Sequence, residues 1–210
     1  MNNASPIHAA VFDLGGVVIE VAVERTFRAW AEATGLAPEE IHRRLADLSE
    51  YLRFERGEFE PEEYRRRVVA RLGRPLPDDE FDRGWHALLG APLPGIEAVL
   101  AQLAAKRLRL VILTNTNALH AAEWRRLSAP VLPHFERVFE SYTMRCRKPE
   151  PAAFQNVLDY LGLPPARVAF FDDSLENVEA AAQLGMAARL TKGPAGVRQA
   201  LEELGLPMTA

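Results

Sequence analysis

Three apolar runs in this 210-residue chain end on reactive side chains. Ala9 to Phe12 ends at Asp13, Leu110 to Leu113 at Thr114-Asn115, and Val168 to Phe171 at Asp172-Asp173. Lys148 follows a further run, Val138-Phe139, through the segment Tyr142 to Arg147. Three carboxylates, a hydroxyl, an amide and an ammonium gathered at one edge suit phosphoryl transfer. The hard oxygens of Asp13 and of the Asp172-Asp173 pair fit Mg2+, which takes one or two carboxylates plus water and substrate phosphate. A second oxygen of Asp13 can attack phosphorus and form an aspartyl phosphate. Thr114, Lys148 and the backbone N–H groups after Asp13 would hold the non-bridging oxygens as charge spreads over them. Gly15 and Gly16 let the main chain approach a phosphate closely.

Taken singly, each residue has a plainer use. Asp13 can cap a turn, Thr114 and Asn115 can satisfy strand-end backbone groups, and Asp172 or Asp173 can cap the helix beginning near Leu175. The plain reading weakens when successive strands end this way, because ligands of open parallel sheets bind beyond the carboxyl ends of the strands.

The elements that would position these residues follow from periodicity. The four runs and a weaker fifth, Ala187 to Leu190, have the length of buried strands. Helical faces lie between and after them: Ile96, Val99, Leu100 and Leu103; Phe154, Val157, Leu158 and Leu161; Val197, Leu201 and Leu204. Strand and helix in alternation predict an α/β fold, a Rossmann-like parallel sheet with helices on both faces. From Val21 to Pro92 the alternation stops. Four helical patterns and no evident strand occupy that stretch, punctuated by Gly35, Gly57 to Pro61 and Gly73 to Pro77. The expectation is an inserted α-helical bundle over 21–92, acting as a cap on a core formed by 1–20 and 93–210.

Composition narrows the class. Apolar residues make up 48% and charged residues 26%, the balance of a soluble globular protein. Net charge is −4, so the basic footprint of a nucleic-acid binder is absent. The lone Cys146 forms no internal disulfide, and no Cys/His cluster has zinc spacing. No apolar segment approaches the ~18 residues that span a bilayer, and residues 1–6 carry no leader pattern. The expected setting is the cytoplasm, with a small phosphorylated substrate and no membrane, nucleic acid or obligate protein partner. Only Lys106, Lys148 and Lys192 are lysines among 25 basic residues, which singles out Lys148.

The segments Phe12-Asp13-Leu14-Gly15-Gly16-Val17-Val18, Leu113-Thr114-Asn115, Arg147-Lys148-Pro149 and Phe171-Asp172-Asp173-Ser174 resemble the four ordered motifs of the haloacid dehalogenase-like hydrolases. The resemblance spans the chain and includes the helical insert, which sits where one subgroup of phosphatases carries its cap. More narrowly, Phe54-Glu55-Arg56-Gly57-Glu58, Gly84-Trp85, Thr114-Asn115-Thr116-Asn117 and Phe170-Phe171-Asp172-Asp173 are similar to bacterial phosphatases of α-D-glucose 1-phosphate. The resemblance implies Asp13 as nucleophile and metal ligand, the Gly15 carbonyl and Asp173 as further Mg2+ ligands, and Asp172 acting through metal-bound water or the Lys148 network. It makes Lys148 the group that holds nucleophile and phosphate together, with Asn177 orienting this shell. A compact ammonium fits that role better than a planar guanidinium.

One position departs from the wider family. Two residues after the nucleophile, where an acid/base aspartate is usual, this chain has Gly15. Such a group typically contributes about 10²–10⁴-fold. The sugar phosphatases it resembles also carry glycine there, which favours an enzyme whose leaving group needs less help. The other class of reading is a catalytically silent module that binds a phosphate ligand or a partner. Metal-independent dehalogenation has no use for the Asp172-Asp173 pair, and the first motif lacks the tyrosine of that group. Glu20 is a candidate for the missing acid. Expected substrate contacts are Asn115, Gly16, Asn117 and, from the turn between two cap helices, Arg56; Glu55 and His120 are further candidates. Asn117 has the alternative of capping the helix that carries Leu119 and Trp124.

Overall fold

A computed structural model describes residues 7–208, so the leader reading of residues 1–6 lies outside the described residues. Strand β1 (Ala9–Phe12) is buried along its whole length. It runs past Asp13 into a turn, and β2 (Ile19–Val21) then leaves the sheet. Five helices follow, α1 (Val23–Thr34), α2 (Pro38–Arg44), α3 (Ser49–Glu55), α4 (Pro61–Leu72) and α5 (Asp78–His86), before β3 (Leu89–Pro92) returns antiparallel to β2. Then come α6 (Ile96–Ala105), β4 (Arg109–Thr114), α7 (Ala118–Ser128), β5 (Arg137–Glu140), the short α8 (Ser141–Met144) and α9 (Pro151–Leu161). The chain closes with β6 (Val168–Asp172), α10 (Leu175–Gln183), β7 (Ala187–Leu190) and α11 (Gly193–Glu203).

The five expected strands form one parallel sheet in the order β5-β4-β1-β6-β7. The chain builds outward from β1 on one side and then crosses to the other, so the crevice lies beyond β1 between β4 and β6. Phe12 pairs with Ile112 and with Phe171. That register brings Asp13, Thr114 and Asp172 out at the same end of the sheet. Alternate residues serve opposite faces. Ala10, Phe12, Ile112 and Phe171 pack with Val99, Leu103, Val197 and Leu201, whereas Val11, Val111, Leu113 and Phe170 pack with Phe154, Val157 and Leu161. Each Val, Leu, Ile or Phe among them contributes ~1.5–3 kcal/mol on burial.

The insert has its own aromatic core of Trp30, Phe54, Tyr64, Phe81 and Trp85. Trp30 stacks on Trp85 with ring centroids 5.7 Å apart, and Phe54 on Tyr64 at 4.1 Å. Gly84 has a packing reason: a Cβ there would lie 2.3 Å from the Trp30 ring, so only glycine lets α5 sit against that indole.

Two expectations are corrected. The pattern Ile41, Leu45, Leu48, Leu52 is two helices, α2 and α3, broken at 45–48, and Leu48 is 55% exposed. The stretch 21–92 also contains a strand, β3, whose four residues include Gly90 and Pro92 and so carry no alternation to read. The β2-β3 ribbon forms the stem of the insert. The expected boundary after residue 20 falls inside β2, and that after residue 92 at the end of β3.

Candidate active site

Lys148 is the centre of the site. Only 1% exposed, it donates from Nζ to Asp13 Oδ1 at 2.7 Å and to Asp172 Oδ2 at 2.6 Å. Asn115 holds the lysine's backbone from both sides: its Oδ1 accepts from Lys148 N, and its Nδ2 donates to the Lys148 carbonyl, both at 2.9 Å. Asp172 also accepts from Asn177 Nδ2 at 3.0 and 3.1 Å and from Ser174 N at 2.8 Å. A fully buried carboxylate is tolerable when its lone pairs are met in this way.

Asp13, Asp172 and Asp173 each offer a carboxylate oxygen within 4.8 Å of the others. An all-oxygen set of this kind fits a hard divalent cation. Burial pushes the Asp13 carboxyl up to about 7, with Lys148 opposing the rise and Asp172 and Asp173 adding to it. Burial also raises Asp173, and the Asp172 charge beside it raises it further. For Lys148 burial works downward, but Asp13 and Asp172 outweigh it and hold the ammonium above its ordinary value. The carboxylates are thus crowded around one buried ammonium, with Lys192 at the edge of the site, and a divalent cation would relieve them.

These groups line a cavity of about 430 Å³ together with Gly15, Gly16, Thr114 and Lys192. Gly16 has φ +73°, and a Cβ on it would lie 2.2 Å from Asp173 Oδ2. We expect Gly16→Ala to displace the Asp173 carboxylate, lowering turnover at least tenfold, while the positive φ costs only about 1 kcal/mol of stability. Activity and thermal unfolding measured on one preparation check this.

The structure brings Asp13, Gly15, Gly16, Thr114, Asn115, Lys148, Asp172 and Asp173 around one cavity. Of the other expected contacts, His120 and Glu55 also line the cavity, whereas Asn117, Arg56 and Glu20 do not. Asn117 has no exposed surface; its Oδ1 accepts from His120 N at 3.1 Å, capping α7, and from Trp85 Nε1 at 3.3 Å. The capping alternative therefore holds, and the substrate contact expected of Asn117 is corrected. His120 has both ring nitrogens engaged, Nδ1 with Asn117 Nδ2 and Nε2 with the Trp85 carbonyl, and burial pulls it down to about 3, so the ring is neutral. Arg56 is corrected too: its guanidinium pairs with Glu150 and donates to the Leu52 carbonyl, joining insert to core, and it does not line the cavity. Glu20 is exposed, pairs with Arg25 at 2.7 Å and is likewise absent from the lining.

Sequence reasoning passed over Lys192, Tyr51 and Arg147, all of which line the cavity. Lys192 stands two residues past β7 and was available to the same strand-end reading. Tyr51 reaches the cavity only because α3 docks on the core. Glu55 does so as well; it is 3% exposed and accepts from Arg147 Nε at 2.8 Å. Burial raises its carboxyl, against the pull of Arg147 and Tyr51.

Comparison with known proteins shows the family. A phosphorylated carbohydrates phosphatase from Thermotoga maritima is 28% identical over 190 residues, covering 86% of this chain and 82% of that protein. A D-ribitol-5-phosphate phosphatase from Bacteroides thetaiotaomicron is 23% identical over 198 residues, covering 91% and 95%. A HAD-family enzyme from the same organism, crystallised with magnesium and inorganic phosphate, superposes with a TM-score of 0.76 at 27% identity, covering 89% of this chain and 94% of that one. The family model of the haloacid dehalogenase-like hydrolases matches residues 7–185, from the start of the sheet through α10, and the chain belongs to that family.

Proposed function

We propose that this hydrolase is a Mg2+-dependent phosphatase of small phosphomonoesters, working through an aspartyl phosphate on Asp13. The observation that carries this reading is the Lys148 ammonium bridging Asp13 and Asp172 inside a cluster of three carboxylates. The relative crystallised with magnesium and phosphate supports it. Asp13, Asp173, the Gly15 carbonyl and Asp172 are the groups that would hold Mg2+, and the ion would supply charge neutralisation at the phosphate. Lys148 fixes one oxygen of Asp13 and so aims the carboxylate. Attack on phosphorus forms an oxygen–phosphorus bond to Asp13 and breaks the bond to the organic oxygen; water then returns phosphate and the free carboxylate. Thr114 and Lys148 would take the charge on the non-bridging oxygens.

The leaving oxygen needs a proton that Gly15 cannot give. Glu55 is the carboxyl that the helical insert contributes to the cavity lining, and its burial favours the protonated form. We expect Glu55→Gln to slow alkyl phosphates by about 10²-fold and a nitrophenyl phosphate, whose leaving group needs little help, by far less. Equal losses on both would remove Glu55 from the acid role.

A glycosyl 1-phosphate, the finer expectation, has the names of the carbohydrate phosphate relatives in its favour. The residues expected to meet the sugar, Asn117 and Arg56, are engaged in holding the fold together. The test is hydrolysis of an aryl phosphate with and without Mg2+. Turnover should require the metal and stop on chelation. Binding Mg2+ removes a proton from Asp13, so the Mg2+ needed for half-maximal rate should rise roughly tenfold per pH unit below about 7. No metal-dependent turnover on aryl, alkyl or sugar phosphates would favour the silent phosphate binder.

A further inference from the structure

We propose that the preferred substrates carry an apolar organic group, and that a second cavity inside the helical insert receives it; this deepens, and rests on, the phosphatase reading. The insert holds a cleft of about 420 Å³, partly open to solvent and walled by Phe27, Trp30, Leu45, Tyr64, Val68 and Trp85. Charged side chains stand on its rim, where Arg71 donates to the Asp47 carbonyl at 2.7 Å and lies 3.9 Å from Glu50. A space of that size and lining is typical of a small-molecule site. Tyr51 and Leu88 line this cavity and the catalytic one, so those two side chains stand between them.

The roof of the catalytic cavity points the same way. The insert and its stem contribute Ile19, Val21, Tyr51, Glu55, Leu88 and Leu89. Only Tyr51 and Glu55 are polar there, and they interact with each other and with Arg147. On the insert side a sugar's hydroxyls would therefore find few partners, and an unmatched buried polar group is costly. An alkyl or terpenoid chain has no such demand. Its phosphate end would sit at Asp13 and Lys148 while the chain passes Tyr51 and Leu88 into the insert. One polar feature inside the apolar cavity is the Thr26 hydroxyl, which is buried, lines the wall and has no hydrogen-bond partner.

The experiment measures kcat/KM for linear alkyl phosphates from ethyl to decyl, each below its aggregation concentration, beside glucose 1-phosphate and ribitol 5-phosphate at one Mg2+ concentration. We expect a rise of roughly fourfold per methylene until the cavity fills, carried mostly by KM, since each buried methylene is worth about 0.8 kcal/mol. The sugar phosphates should stay near ethyl phosphate. Val68→Phe, which occupies the cavity, should lower the decyl-to-ethyl ratio at least tenfold. Thr26→Val is isosteric and should fold regardless; by removing the orphaned hydroxyl it should raise that ratio twofold to fivefold. A flat chain-length profile with faster sugar phosphates would overturn the apolar-substrate proposal and leave the phosphatase reading standing. No turnover of any phosphate would overturn both.

Discussion

Asp13→Asn should reduce turnover by on the order of 10⁴-fold or more and leave the fold intact. The change is isosteric, and Asn Oδ1 can still accept from Lys148, so neither packing nor the 2.7 Å contact need be lost. The carboxylate that attacks phosphorus is lost, and losing a nucleophile removes the step itself. Acid quenching during turnover should trap a phosphoryl group on the wild-type chain and none on the variant. Stability gives an independent readout. The native Asp13 carboxyl sits at about 7, above its unfolded value near 3.8, so its favourable contribution is complete below pH 3.8 and is lost as pH rises through 7. The amide does not titrate. Without Mg2+, the variant should therefore melt at or above the wild-type temperature at pH 8. Wild-type turnover in a folded variant would exclude Asp13 as nucleophile.

The parallel sheet was legible because its strands are short apolar runs, and a run buried on both faces looks the same wherever it occurs. Asp13, Thr114, Asp172 and Asp173 could be placed at one edge by topology alone. Their neighbours in the insert could not. The contacts that seat the insert, Arg147 to Glu55 and Arg56 to Glu150, join residues 92 and 94 positions apart, and no periodicity encodes them. Asn117 shows the opposite case. Its partner is His120, three residues on, so the cap was readable locally, but so was proximity to Thr114. Only Trp85, arriving from α5 to bond the same oxygen, separates the two uses. The β2-β3 ribbon was illegible for a third reason: three- and four-residue strands with Gly90 and Pro92 carry too little alternation to register.

Lys148→Met should destabilise the metal-free protein by about 3–5 kcal/mol above pH 7, the usual result of removing one partner from a buried ion pair. The ammonium is 1% exposed between Asp13 and the fully buried Asp172, and its removal leaves two facing carboxylates with no internal counter-charge. The defect should shrink toward pH 5, where Asp13 is protonated and one charge disappears. Mg2+ should raise the melting temperature of the variant more than that of the wild type, because it supplies the missing positive charge. Stability restored in this way would not restore rate. Without the group that aims Asp13 and meets the phosphate oxygens, turnover should fall at least 10²-fold even at saturating metal. Lys148→Arg should rescue neither property. Asn115 fixes the backbone at 148 through both its N–H and its carbonyl, so the chain cannot retreat to admit a broad planar guanidinium. Melting curves of the three proteins with and without Mg2+ at pH 5 and pH 8 decide the matter. A small, pH-independent loss in the methionine variant would show that Lys148 is not the charge on which the carboxylate cluster depends.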